Sequence, residues 1–216
     1  MCNLYDVGPT QAAKDTSPWA QTLKYGFNTR FKKFAVRKTD PSLVLHLNAR
    51  GEPEASVMRW GFDREFSPAI NNARSEKLRS GMWKVAWENG QRCIVPMGTF
   101  YEWTGGVGHK RTHAFQSKTD EPLWAAGLWE HHPDHGPCYT VLTTAASEWM
   151  MPIHDRMPVF LSASQLVSYC RGSHDGMPMP AVGGDVLRRM ECLNPLKNLA
   201  SHEGPIETGG MLPGFE

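Results

Sequence analysis

Between Arg92 and Thr143 five strand-like runs follow one another, and this succession restricts the fold more than any other feature of the chain. The runs are Arg92–Val95, Thr99–Trp103, Arg111–Ser117, Leu123–Trp129 and Pro137–Thr143. Gly105-Gly106, Gly108 and Gly136-Pro137 punctuate them. Short runs of β-branched and aromatic residues divided by turn formers read as strands. Ser42–Asn48 and Ala55–Trp60 add two more upstream. Leu78, Met82, Val85 and Ala86 recur at helical spacing and predict a helix over Arg74–Glu88 that stops near Asn89-Gly90. A short helix is expected within residues 10–24, and another over Ser162–Cys170 with Ser162 or Ser164 as N-cap. Gly172–Gly184, rich in Gly, Pro and Met, reads as a loop. Strands with helices inserted between them indicate an α+β fold, not a doubly wound parallel sheet. No dinucleotide fingerprint, P-loop or nucleophile-elbow motif is present.

At 216 residues the chain reads as one domain, residues 1–216, with 40% hydrophobic and 21% charged residues, an ordinary globular balance. No apolar run approaches the ~18–20 residues of a membrane helix. The start, MCNLYDVGPTQ, lacks the charged and apolar regions of a signal peptide, so a cytoplasmic location is expected. Five cysteines without a C-x-x-C pair fit free thiols in a reducing compartment. A net charge of +1 argues against coating duplex DNA by bulk charge. A local groove remains open: Lys24, Arg30, Lys32, Lys33, Arg37 and Lys38 carry no acid among them and alternate with Tyr25, Phe27, Phe31 and Phe34. Basic residues track phosphates and aromatic rings stack bases in single-strand grooves. The plainer alternative is a solvated loop whose aromatics turn into the core.

Chemically capable residues concentrate at four places. Cys2 follows Met1, and a small second residue favours methionine removal. The mature chain would then begin with an amine and a thiol on one residue, whose ordinary pKa values of about 7.7–8.0 and about 8.5 leave both partly nucleophilic at neutral pH. Such a pair condenses with an aldehyde to a five-membered thiazolidine. Asn71-Asn72-Ala73-Arg74-Ser75-Glu76 places an amide, a guanidinium and a carboxylate at an expected helix entry, where Asn72 could also cap. Glu102 stands between Tyr101 and Trp103, whose rings should desolvate it and raise its pKa, unless strand alternation turns it to water. His154-Asp155-Arg156 joins a group that titrates near neutrality to one that binds phosphate bidentately. His131-His132-Pro133-Asp134-His135 matches no zinc spacing and reads as a hairpin tip.

Taken in order, these segments resemble the SOS-response-associated peptidase (SRAP) family, whose members process abasic sites in DNA. The resemblance rests on Met1-Cys2, Arg59-Trp60-Gly61, Asn72-Ala73-Arg74-Ser75-Glu76, Arg92-Cys93-Ile94-Val95-Pro96 and Phe100-Tyr101-Glu102-Trp103. It continues through Ala126-Gly127-Leu128-Trp129-Glu130, Thr143-Thr144-Ala145-Ala146, His154-Asp155-Arg156-Met157-Pro158 and Asn194-Pro195-Leu196-Lys197-Asn198. The chain departs where members usually read Met-Cys-Gly-Arg, having Asn3-Leu4, and over Phe34–Thr39, where no Asn-x-x-Pro segment is clear. The resemblance implies one α+β domain with a barrel-like, mainly antiparallel core flanked by helices, and a positively charged cleft. It implies a cytoplasmic, bacterial protein that reaches the nucleoid upon damage and acts as a monomer on abasic sites in single-stranded DNA, without metal or cofactor. Cys2 would form the crosslink, Glu102 act as general acid–base, His154 serve the opened sugar oxygen, and Asn72 orient the amine. Arg74 and Arg156 would bind phosphates, and Trp60, Trp103 and Met157 would stack or wedge. Removal of Met1 by the chain itself is also implied. Two other readings stand beside this one: an N-terminal-nucleophile cysteine peptidase or amidohydrolase, and a non-catalytic single-strand-binding module.

Overall fold

The computed structural model describes residues 2–7, 16–30, 35–106, 108–119, 121–173 and 181–198. In chain order the strands are β1 (Leu4–Asp6), β2 (Val36–Arg37), β3 (Pro41–Leu47), β4 (Pro53–Trp60), β5 (Phe62–Arg64), β6 (Ser67–Ile70) and β7 (Asn72–Arg74). Then come β8 (Arg92–Met97), β9 (Thr99–Thr104), β10 (Arg111–Ser117), β11 (Leu123–His132) and β12 (Gly136–Ala145). The short β13 (Arg156–Pro158), β14 (Phe160–Leu161) and β15 (Leu187–Cys192) complete them. The helices are α1 (Pro18–Arg30), α2 (Lys84–Glu88), α3 (Leu166–Cys170) and α4 (Pro195–Asn198).

Five strands close on themselves. β12, β4, β3, β8 and β11 pair in that order, and β11 returns to β12. Four of these seams are antiparallel; the β12–β4 seam, Cys138 to Arg59 and Tyr139 to Trp60, is parallel. A closed sheet has no open edge to template other chains. A second sheet, β15-β10-β9-β1-β2, is antiparallel throughout. The barrel wall is buried on both faces. Val44, Cys93, Val95, Tyr139 and Val141 join Cys2, Tyr5, Phe100 and Phe115 in one apolar cluster, towards the second sheet. Their neighbours Leu43, Leu45, Ile94, Ala126 and Leu142 join Trp19 and Leu23 of α1, Trp87 of α2 and Tyr169 of α3 in the other. The period of two along each strand produces this division.

The α+β reading and the barrel-like, mainly antiparallel core agree with this architecture. The single helix expected over Arg74–Glu88 does not. Asn72–Arg74 is a strand, followed by 3-10 turns at Ser75–Lys77 and Gly81–Trp83, and only Lys84–Glu88 is α-helical. Gly81 takes φ +57, a left-handed conformation that breaks a helix. Asn72 therefore caps no helix; it belongs to a strand paired with β12. The upstream helix begins at Pro18, later than expected, with Ser17 Oγ accepting from Ala20 N at 3.3 Å. Residues 10–15, part of the expected helix, lie outside the described residues, as do Phe31–Phe34 of the basic stretch and residues 174–180 of the expected loop. Ser162 does cap, in a capping box with Gln165, ahead of α3. His131–Gly136 forms the tip of the β11–β12 hairpin, and His135 Nε2 meets Asp63 Oδ2 at 2.9 Å.

Candidate active site around Cys2

Two strands bring the start of the chain to Glu102. β1 pairs with β9 through Tyr5–Phe100 and Asp6–Thr99, which carries Cys2 alongside the far end of β9. Tyr5 is the anchor: its ring meets Trp60 edge-on at 4.9 Å, and its hydroxyl hydrogen-bonds that of Tyr139 on the barrel wall. With Met1 present in the chain, Cys2 is 1% exposed, and its Sγ donates to Leu4 O at 3.4 Å. Burial, and then the Glu102 carboxylate, push the Cys2 thiol well up from its ordinary range. Neutral pH thus finds it as a thiol, and it must hand its proton to a base before it can attack.

Two carboxamides grip the backbone of Cys2. Asn71 Nδ2 donates to Cys2 O at 3.1 Å, and Asn72 Nδ2 donates to the same oxygen at 3.0 Å. Asn72 Oδ1 is buried with no hydrogen-bond partner among the described residues. Glu102 is 3% exposed, on the same face of β9 as Phe100, while Tyr101 and Trp103 flank it half-buried. Strand alternation turns Glu102 inwards, the reverse of the solvent-facing alternative. Its pKa rises to about 7 because burial disfavours the carboxylate, against the pull of the chain's terminal ammonium. His154 is partly buried. Its pKa is lowered, first by burial and then by the ammonium. Its Nδ1 accepts from Arg156 N at 2.9 Å and stands 2.8 Å from Asp155 Oδ1. A proton on Nδ1 would turn that atom to Asp155 and give up the Arg156 bond. Glu102 raises the Cys2 pKa, and Asp155, next to His154, raises that of Glu102, so the fold brings the three groups close together.

The residues expected to touch DNA divide. Arg74 is exposed at the end of β7. Arg156 is engaged: it forms a two-pronged pair with Glu76 at 2.6 and 3.0 Å and donates to Thr143 O at 2.6 Å. Trp60 is fully buried, stacked on Tyr139 at 6.3 Å, with Nε1 donating to Asn71 O at 2.9 Å. Met157 is 1% exposed. Neither can stack on or wedge between bases; both are packing residues, because strand alternation points them into the core. Trp103 is half-buried.

Sequence reasoning gave no role to three residues that the structure sets apart. Asn71 shares the hold on Cys2. His113 stands opposite Glu102 in register and meets Thr104 Oγ1 through Nε2 at 2.8 Å. Phe66, between β5 and β6, is 77% exposed, on a hairpin that runs directly into Asn71. An aromatic residue beside Ser67-Pro68 was the available signal for it. Among the described residues, no three His, Cys, Asp or Glu side chains group to hold a metal ion, and no helix is long and apolar enough to cross a membrane.

The family described as SOS response associated peptidase (SRAP) matches residues 1–179. The chain belongs to the SRAP family. Among curated SRAP relatives, the abasic site processing protein YoaM of Bacillus subtilis is 37% identical over 135 residues, 56% of this chain and 58% of its own. YoqW of the same organism is 34% identical over 135 residues, 56% and 59% of the two chains. The abasic site processing protein HMCES of Xenopus tropicalis is 29% identical over 186 residues, 71% of this chain and 52% of its own. The chain thus spans little more than half the length of the curated relatives it matches. Among solved structures, a protein from Bordetella bronchiseptica has a TM-score of 0.71 at 20% identity, covering 89% of this chain and 100% of its own. One from Bacteroides thetaiotaomicron has a TM-score of 0.68 at 13% identity, covering 97% and 100%. At these identities the likeness is one of fold.

Proposed function

We propose that this SRAP chain captures abasic sites in single-stranded DNA through a covalent bond to Cys2. The observation that carries the reading is the seating of the second residue, a cysteine, among a carboxyl group of pKa about 7, an imidazole and two asparagine amides. The names of the curated relatives, abasic site processing proteins, point the same way. An opened abasic sugar presents an aldehyde at C1′. Once Met1 is removed, the Cys2 amine adds to C1′ and loss of water gives an iminium ion. The thiol sulfur then attacks the same carbon, its proton leaves, and a thiazolidine closes; aldehyde and aminothiol yield the ring and one water. Glu102, poised between its two protonation states near neutrality, takes and returns protons during ring opening and closure. His154 serves the sugar oxygen that ring opening releases. Asn72 Oδ1 supplies an acceptor for an N–H of the freed amine. Removal of Met1 by the chain itself would use Cys2 and Glu102.

DNA affinity would come from phosphate contacts, which carry most sequence-independent binding. Arg74 is available as it stands, whereas Arg156 must first leave Glu76. Exposed Phe66 takes over the stacking role from Trp60 and Met157, and half-buried Trp103 keeps its own. A mixture with single-stranded oligonucleotides, with and without an abasic site, tests the reading on a denaturing gel. A heat-stable shifted band is expected only with the abasic strand, and Cys2→Ser or a blocked N-terminus should abolish it. Binding without any covalent band would select the non-catalytic module instead.

A further inference from the structure

Asn71 holds the start of the chain at two points. Its Nδ2 carries two hydrogens, and the structure gives each an acceptor: Cys2 O at 3.1 Å and Asn3 Oδ1 at 3.2 Å. Asn71 is itself fixed. It is 6% exposed, and its carbonyl accepts from Trp60 Nε1 at 2.9 Å and from Val141 N at 3.0 Å. Asn3, by contrast, is exposed, so its side chain has solvent as an alternative and yet turns its oxygen to Asn71. Asn3 is also where the chain departs from the Met-Cys-Gly start of the family it resembles.

A terminal residue is held to the fold by one peptide bond only, and rotation about its ψ swings the amine and the side chain away from a target. Donors on the carbonyl of residue 2 fix the plane of the Cys2–Asn3 peptide, and with it the position of the Cα and the axis about which both reactive groups turn; the Sγ bond to Leu4 O then sets the rotation. Asn72 supplies one such donor. A single bond leaves a hinge; a second donor, tied in turn to the next side chain, removes it. We propose that Asn71 and Asn3 form a latch that positions Cys2 for attack on its aldehyde, a positioning role that rests on the crosslinking function proposed above. Attack on a carbonyl depends steeply on the approach of the reacting atoms, so a loosened latch slows the chemical step without touching DNA affinity.

Single-turnover crosslinking at saturating abasic oligonucleotide separates these effects. Asn71→Ala and Asn3→Ala should each lower the rate by about 3- to 10-fold, the worth of one net hydrogen bond. Asn71→Asp, which sets an acceptor against two acceptors, should be slower than Asn71→Ala. The double variant Asn71→Ala/Asn3→Ala should be no slower than Asn71→Ala, because Asn3 acts through Asn71. The dissociation constant for an intact oligonucleotide of the same sequence should stay at the wild-type value in all four. Wild-type crosslinking rates in Asn3→Ala and Asn71→Ala, or losses that multiply in the double variant, would overturn the latch alone. Exposed Asn3 keeps the test decisive should Asn71→Ala misfold. No crosslink by the wild-type chain would overturn the function and the latch together.

Discussion

Ionising Glu102 costs the folded chain more than the unfolded one. Its pKa rises from an ordinary 4.5 to about 7, so between those values the native state holds a proton that the unfolded state has lost. Stability must therefore fall as pH climbs through that window and stay lower above it. Glu102→Gln removes the penalty. The difference in Tm between pH 5 and pH 8 should shrink in this variant, and a thermal melt at the two pH values checks it. The crosslinking rate of the wild type should inflect near pH 7, and Glu102→Gln should lose the inflection with about 10²–10⁴ of the rate. A variant that keeps both rate and inflection would take Glu102 out of the chemistry. The sequence singled out Glu102 through its aromatic neighbours, but those rings line the half-buried face of β9. The desolvation comes from the opposite face, which packs on residues distant in the chain. The same blindness put Trp60 and Met157 on the DNA side: residue type is local, and burial is not.

At the scale of elements, β7 and β13 lie on either side of β12, both in register with it near Thr143. Arg156, at the start of β13, reaches across to Glu76 in the turn after β7. Arg156 is largely buried, its side chain at 11%, while that of Glu76 is 48% exposed, so water screens the pair from one side only. The pair is also a competitor. The Arg156 guanidinium holds the Glu76 carboxyl below its usual range, and a DNA phosphate would have to displace that carboxylate. Glu76→Gln should free Arg156 to bind one more phosphate, and so steepen the log–log salt dependence of single-strand binding by about 0.7. Arg74→Ala should flatten it by a similar amount. An unchanged slope in Glu76→Gln would leave Arg156 as a bracket between strands. The helix expected over Arg74–Glu88 failed at this scale too. Leu78, Met82, Val85 and Ala86 do recur at helical spacing, but β7 pairs with β12 at one end and Gly81 breaks the turn in the middle. Long strands were legible because alternation over six or more residues is a strong signal. β1, β2 and β7 are only two or three residues long, too short to carry a period.

Closure of the whole barrel depends on seams between residues far apart in sequence, and no local pattern announces them. One tight point is Gly127 on β11. A Cβ there would sit 2.8 Å from Thr140 O on β12 and 2.9 Å from Cys93 Sγ on β8, inside van der Waals contact with both neighbours. Gly127→Ala should cost about 1–3 kcal/mol, as overpacking does. A Tm lower by ~2–4 °C per kcal/mol is expected for a chain of this size. The crosslinking rate measured well below that Tm should remain that of the wild type, because the nearest neighbours of Gly127 belong to β8 and β12, not to β1 or β9. A Tm equal to wild type would mean that the three strands can part without loss.

The burial of Cys2 also decides what the chain does not react with. Peroxide and soft alkylating agents attack thiolates in contact with water, and Cys2 offers neither the charge nor the access. Cys192 is exposed on β15, so a diffusing oxidant meets it first. A sulfur kept dormant in this way can persist in a cell full of small electrophiles. Under the proposed chemistry the amine makes the first bond, and only an aldehyde already captured by it is near enough to wake the sulfur. Selectivity then arises from the order of events, not from the reactivity of the thiol.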